Sequence, residues 1–442
     1  MLRLLILLLL LSLPACQAAP EAVPSGSFSF IVDTQTQAIL EQLQAEGLGQ
    51  PLAGFSSNFI GIYVPEIFLP YEPFVLGLAT ESPIPTVLFL DAPWVQRYAA
   101  SNWLSDLSST GIFPAAGLIP SVAKAFSRPH SPASGGVVDE LMAVPNSIKG
   151  NILFFRQDLL AAYQKTPPRN WEELKAICRE ILPRERSLKY GLIFHVTNFL
   201  NDFYPIFWGF DGRTHDAQGN LVFLQPAMLA KAEAALQEIV GMQGTLTPTP
   251  AALPQFAGPR RLREAFLRGE ALFMINWNTR LHDLRQMLAS PQWQRQAALK
   301  NPDQIGVTPI PSQSGRPRKF TNIGSFGWAV NRFAISKPGV KPKASQFLQL
   351  VNSERAQVLR AETAGEIPTL ESALQQVRNP DVLRVYQTVF AAPEVVLQPR
   401  PASRKFNAIL EKHLQDALFG RRTPAAAIQA AAEELKRRAP LD

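Results

Sequence analysis

Four residues stand where a chain of alternating strands and helices exposes side chains to a ligand. Asp91 follows the apolar run 86–90, Trp277 follows the run 271–276, Trp328 follows Gly327, and Arg400 lies in a loop. A carboxylate, a guanidinium and two flat aromatic faces suit non-covalent capture of a polyhydroxylated molecule. Each hydroxyl must find a polar partner, because one left buried and unpaired costs about 1–3 kcal/mol. Charged partners make the stronger bonds, and aromatic rings cover the C–H faces. Other uses of the same residues stay open. Asp91 can cap the helix beginning at Pro93, the two tryptophans can fill cores, and Arg400 can pair with a carboxylate. Trp94, Trp103 and Trp171 read as packing residues, and Cys178 as an inert buried thiol.

Catalytic constellations are harder to find. The histidines at 130, 195, 215, 282 and 413 are scattered and make no His-Glu-x-x-His pattern, and Cys/His zinc clusters are absent. The sequence has neither a Gly-x-Ser-x-Gly elbow nor a glycine-lysine phosphate loop. Paired carboxylates for glycoside hydrolysis are a spatial matter that sequence spacing does not decide. The expectation is no catalytic residue, no metal and no cofactor.

The elements that must position these residues come from a chain of 442 residues, long enough for two or three domains. With 46% hydrophobic and 18% charged residues it has ample material for real cores. The net charge is +7, and +4 of it lies between Arg400 and Asp442 on what reads as amphipathic helix. A solvated helix face explains that excess, so nucleic acid is not an expected partner. Two cysteines exclude a disulfide framework. Strands are expected over 28–32, 60–64, 86–90, 151–156, 189–194, 271–276, 305–310 and 326–330. Helices are expected over 34–46, 94–100, 229–240, 260–268 and, from 344 onward, most of the remainder. Asn170 caps a helix beginning Trp171-Glu172-Glu173. Alternation of this kind implies a mostly parallel sheet covered on both faces. In such sheets a polar residue at a strand's carboxyl end borders the ligand crevice.

The first segment addresses the compartment. Met1-Leu2-Arg3 leads an apolar run that reaches Leu13-Pro14-Ala15-Cys16. One positive charge, a short apolar stretch and a small residue make a secretory signal peptide over 1–15. The run is short for a membrane span, which needs about 20 apolar residues. Leu-x-Ala-Cys resembles a bacterial lipobox, which would make Cys16 the lipidated mature N-terminus and 16–27 a tether. A simple cleaved signal with an incidental cysteine is the other reading.

Several pieces, in order, resemble the family 1 extracellular solute-binding proteins of ABC importers, especially the maltose/trehalose-type sugar binders. Val144-Pro145 followed by Leu153-Phe154-Phe155-Arg156-Gln157-Asp158 is similar to that family's crossover strand. Pro167-Pro168-Arg169-Asn170-Trp171-Glu172-Glu173-Leu174 resembles its Pro-x-Thr-Trp-x-Glu-Leu. Phe266-Leu267-Arg268-Gly269-Glu270-Ala271 looks like its helix-to-strand turn. Gly306-Val307-Thr308-Pro309, Gly327-Trp328-Ala329-Val330 and Gly365-Glu366-Ile367-Pro368-Thr369 match later segments. Upstream of Leu78 the likeness fades, and Ser82-Pro83-Ile84-Pro85-Thr86 replaces the family's Gly-x-x-Pro-Asp.

The resemblance implies an α/β, two-lobed periplasmic-binding-protein-like fold (type II), each lobe a mixed, mostly parallel sheet flanked by helices. The first lobe would take 28–144 with 306–351, and the second 145–305 with 352–442. It also implies a cleft lined by Asp91, Ser147, Asn151, Trp277, Gly327, Trp328 and Arg400. The ligand would be a di- or oligosaccharide or related polyol, and the partners would be ABC permease subunits in the membrane. The chain would act as a lipid-anchored extracytoplasmic monomer. The rivals are a binder of a non-sugar solute such as glycerol phosphate, and a lipid-anchored enzyme acting on envelope glycans.

Overall fold

The computed structural model describes residues 34–48, 72–128, 139–216, 220–401 and 403–438. The signal segment, Cys16, the tether and the strands expected at 28–32 and 60–64 lie outside the described residues. The strands that position the site are, in chain order, β1 Val87–Asp91, β2 Val144–Pro145, β3 Asn151–Arg156, β4 Tyr190–Ile193, β5 Ala271–Trp277, β6 Ile305–Thr308, β7 Lys319–Ile323, β8 Phe326–Val330 and β9 Val395–Pro399. The helices that matter here are α1 Thr34–Ala45, α2 Ala92–Ala100, α3 Trp171–Ile181, α4 Leu200–Gly209, α5 Pro226–Val240, α6 Val340–Val351, α7 Glu354–Ala364, α8 Arg404–Leu418 and α9 Pro424–Arg437.

Two sheets make the two lobes. The first has the order β1-β8-β2, with Val87 opposite Val330 and Asp91 opposite Phe326. The second has the order β4-β5-β3-β6, with Asn151 opposite Trp277 and Phe155 opposite Gly306. The mostly parallel expectation needs correcting for the described strands. Among them only β4 with β5 and β9 with β7 run parallel, whereas β1–β8, β8–β2, β3–β5 and β3–β6 are antiparallel. The cause is connectivity. β2, β3 and β8 adjoin segments that cross between lobes, so they need no helical crossover within their own sheet to reach a neighbour. β3 is buried along its whole length, as its unbroken apolar core requires.

Local signals hold where they are chemical. The Asn170 side chain accepts from the Glu173 amide at 2.8 Å and starts α3. Cys178 on α3 is fully buried, and burial pushes its thiol pKa up, as an inert thiol requires.

The lobe boundaries also shift. Gly306 pairs with Phe155 in the second sheet, so the second crossing comes after Ile323 rather than near 306. Beyond α6 the chain stays on the first lobe. Arg355 of α7 holds Glu46, just past α1, by two bonds of 2.6 and 2.8 Å, Ile367 bridges Ile148, and Leu370 bridges Leu118. The second lobe is regained by Asp381, which pairs with Arg285. A fully buried strand such as β6 can be satisfied by any free sheet edge, and local sequence does not say which.

The two crossings run side by side. Asn146 donates its amide to the Phe326 carbonyl at 2.8 Å, and Gly324 donates to the Lys149 carbonyl at 2.9 Å. The Lys149 amide donates to Ser325 Oγ at 3.0 Å, and the Asn151 amide to Asn322 Oδ1 at 3.0 Å. Gly150 is required by this proximity. A Cβ there would lie 2.6 Å from Thr321 Oγ1 and 2.7 Å from the Asn322 carbonyl. Lys149 is also ion-paired to the buried Glu366.

Candidate functional site

Asp91 is the last residue of β1, and the chain turns directly into α2, with proline in the first turn at Pro93. It occupies the position before the helix, yet its side chain makes no capping bond. The carboxylate reaches across to the second lobe instead. Arg400, just past β9, donates from Nη2 to Asp91 Oδ2 at 2.6 Å and from Nη1 to Asn201 Oδ1 at 2.5 Å. β9 is held in place by its parallel pairing with β7.

This ion pair borders a cavity of about 300 Å³. One wall is Asp91, Pro93 and Trp94; the other is Asn198, Leu200 and Asn201 at the start of α4, with Arg404, Asn407 and Glu411 from α8. Trp94 is half-buried, edge-on to Tyr98 at 5.7 Å, with the Arg97 guanidinium 5.3 Å from its ring centre. The polar groups are largely fixed. Asn407 accepts from the Tyr204 hydroxyl at 2.6 Å and donates to the Pro401 carbonyl at 2.8 Å. Glu411 accepts from the amides of Phe199 at 3.0 Å and Leu200 at 2.6 Å, which ties α8 to the start of α4. In the cavity wall two buried polar atoms have no partner among the described residues, Asp91 Oδ1 and Arg400 Nε. They are one acceptor and one donor, and a hydroxyl can supply both needs.

Burial dominates the electrostatics. It pushes the Asp91 carboxyl above its ordinary range, with the Arg400 charge acting against it. Glu411 is likewise raised by burial, opposed by the Leu200 amide, the Gln415 side chain and the Phe199 amide.

A profile of bacterial extracellular solute-binding proteins matches residues 75–383. The chain belongs to that family. Solved structures agree on the two-lobed fold. Maltose-bound MalE3 of T. maritima superposes with a TM-score of 0.71 at 23% identity, covering 93% of this chain and 99% of that one. The GacH receptor of Streptomyces glaucescens, solved unliganded and with acarbose, gives 0.67 at 18% identity, covering 93% and 98%. An ABC transporter solute-binding protein of Agrobacterium radiobacter K84 in complex with ribitol gives 0.66 at 18%, covering 93% and 99%.

In this solute-binding protein only two of the expected cleft residues, Asp91 and Arg400, meet at the cavity. Trp328 is a correction. It is fully buried, 4.2 Å from Phe89 and 5.5 Å from Phe347 between ring centres, and its Nε1 donates to Asn146 Oδ1 at 3.3 Å. Alternation along β8 turns Trp328 toward α6 and the core. Gly327 is packed on its other side, where a Cβ would lie 2.6 Å from the Phe126 ring. Trp277 is half-buried at the end of β5 and is not part of the cavity wall. Its ring lies over Gly324, where a Cβ would approach to 2.2 Å, so it packs on the second crossing. Asn151 is fully buried and donates to the equally buried Asp202, and its carbonyl accepts from Thr321 Oγ1 at 2.7 Å. Ser147 is buried in the first crossing, also off the cavity wall.

Trp94, Asn198, Asn201, Asn407 and Glu411 were missed. Trp94 reads as helix packing because it sits in the first turn of α2. Asn198 and Asn201 flank the start of α4, a helix that sequence reading passes over because Pro205 interrupts it. Asparagines just before an aromatic-rich run are a start signal that could have revealed it.

Proposed function

We propose that this chain binds an uncharged sugar or polyol in the cavity between its lobes and delivers it to ABC permease subunits by hinge closure. One observation carries the reading. Unpartnered Asp91 Oδ1 and Arg400 Nε are buried at a cavity that also has an indole in its wall. That set answers the hydroxyl rim and the C–H face of such a ligand. A volume near 300 Å³ is at the small end for ligand sites and favours a short sugar or polyol over a long oligosaccharide. The maltose, acarbose and ribitol named for the structural relatives are all polyhydroxylated and support the same class. A ligand touching both lobes stabilises the closed form by its differential affinity.

The extracytoplasmic family sets the compartment. Within it, the Leu13-Pro14-Ala15-Cys16 ending supports lipid anchoring through Cys16. The protein acts as a monomer, without catalysis and without a cofactor.

A thermal-shift panel of sugars and polyols on the mature protein, followed by calorimetry, tests the proposal. A true ligand raises the melting temperature by mass action. Turnover of a bound oligosaccharide would support the enzyme instead, and binding confined to anionic solutes would discard the neutral-ligand assignment.

A further inference from the structure

The cavity wall carries four charged side chains, Asp91 and Glu411 against Arg400 and Arg404, and their formal charges cancel. Asp91 and Arg400 bond to each other, while Arg404 is exposed at the rim. Glu411 is placed differently. It faces the first turn of α4, a ten-residue helix whose start contributes Leu200 and Asn201 to the wall. Free amides at such a helix start are suited to bind an anion. Here the Phe199 and Leu200 amides are already taken, one by each oxygen of Glu411. Gln415 donates to the same carboxylate at 2.7 Å, so every group bonded to it is a donor, which favours the ionised acid against the burial that raises its pKa.

We infer that Glu411 is a specificity-determining residue that excludes anionic ligands. It fills the start of α4 at the cavity wall and cancels the charge that would otherwise attract a carboxylate or phosphate. The accepted class is therefore neutral sugars and polyols, and uronic acids, aldonic acids and sugar phosphates are turned away. This rests on the sugar or polyol reading of the cavity and narrows it. Glu411→Gln leaves one carbonyl oxygen to accept from the α4 amides but gives the wall a formal charge of about +1 by the ordinary ionisation states of its side chains. Glu411→Ala also bares the helix start.

The test uses matched pairs on the full mature protein: glucose with glucuronate, galactose with galacturonate, maltose with maltobionate and ribitol with ribonate. Calorimetry on wild type should find a neutral member that binds and an acid counterpart weaker by at least tenfold. Glu411→Gln should shift the acid-to-neutral affinity ratio by at least tenfold toward the acid. A loss shared equally by both members is what a purely structural role of Glu411 predicts, and it overturns the inference. So does a wild type that takes the acid as tightly as its neutral partner, a result that stands even if the variant fails to fold. If no neutral compound binds wild type, the sugar reading fails, and inorganic phosphate then judges the filter. Phosphate should bind Glu411→Ala and leave wild type untouched; silence of both proteins overturns the assignment.

Discussion

Replacing Trp94 by alanine separates two versions of the site. The indole forms part of the cavity wall beside Asp91, whereas Trp277 packs on the second crossing and Trp328 lies in the core. Aromatic anchors in binding sites typically cost 2–4 kcal/mol when truncated, so we expect Trp94→Ala to lose about that much binding free energy. This corresponds to roughly 30-fold to nearly 1,000-fold in affinity. The fold should survive. Trp94 is only half-buried, and its edge contact with Tyr98 is worth about 0.5–1.5 kcal/mol, against a typical total of about 5–15 kcal/mol. Trp277→Ala should shift affinity by no more than about threefold, well under one decade of 1.4 kcal/mol. Calorimetric titration of wild type and both variants, with circular dichroism as the folding control, makes the comparison. Affinity should barely change between low and physiological salt, because a neutral ligand has no charge to screen. An unaffected Trp94→Ala beside a hundredfold loss in Trp277→Ala would refute the structural assignment and restore the site expected from sequence.

Three further outcomes follow from other parts of the molecule. Gly150→Ala forces a methyl against Thr321 Oγ1 and the Asn322 carbonyl, so it should destabilise by about 1–3 kcal/mol in urea melts and impair closure, read by small-angle scattering with and without ligand. Glu434 of α9 bonds Lys412 at 2.8 Å and His413 at 2.9 Å on α8, and these partners, Lys412 foremost, lower its pKa from 4.5 to about 2. A lowered folded-state pKa means stability that is present above about pH 4.5 and lost as pH falls toward 2; melts across that window should show a slope that Glu434→Gln reduces. Cys16→Ser should move the protein from the membrane fraction to the soluble one, and retention in the membrane would end the lipobox reading.

Much of this protein was legible in its sequence because the relevant signals are local. Strand β1, the Asn170 cap and the inert Cys178 depend on residues within a few positions of one another, and period and capping chemistry suffice. Asp91 was legible too, since an acid ending a buried strand has few places to go. The partner of that acid was not. Arg400 is 309 residues away, and only the closure of two lobes brings their side chains to 2.6 Å. Trp277 and Trp328 show the same limit from the other side. Trp277 ends one strand run and Trp328 lies within another, and both read as ligand-facing in sequence, yet the strand partners and the helix packed on each sheet send one onto a crossing glycine and the other into the core. Composition, helix ends and strand ends are properties of the chain. Which face of a strand meets water, and which sheet edge accepts β6, are decided by non-local packing. The site is therefore written partly in residue types and partly in a juxtaposition that exists only once both lobes have folded.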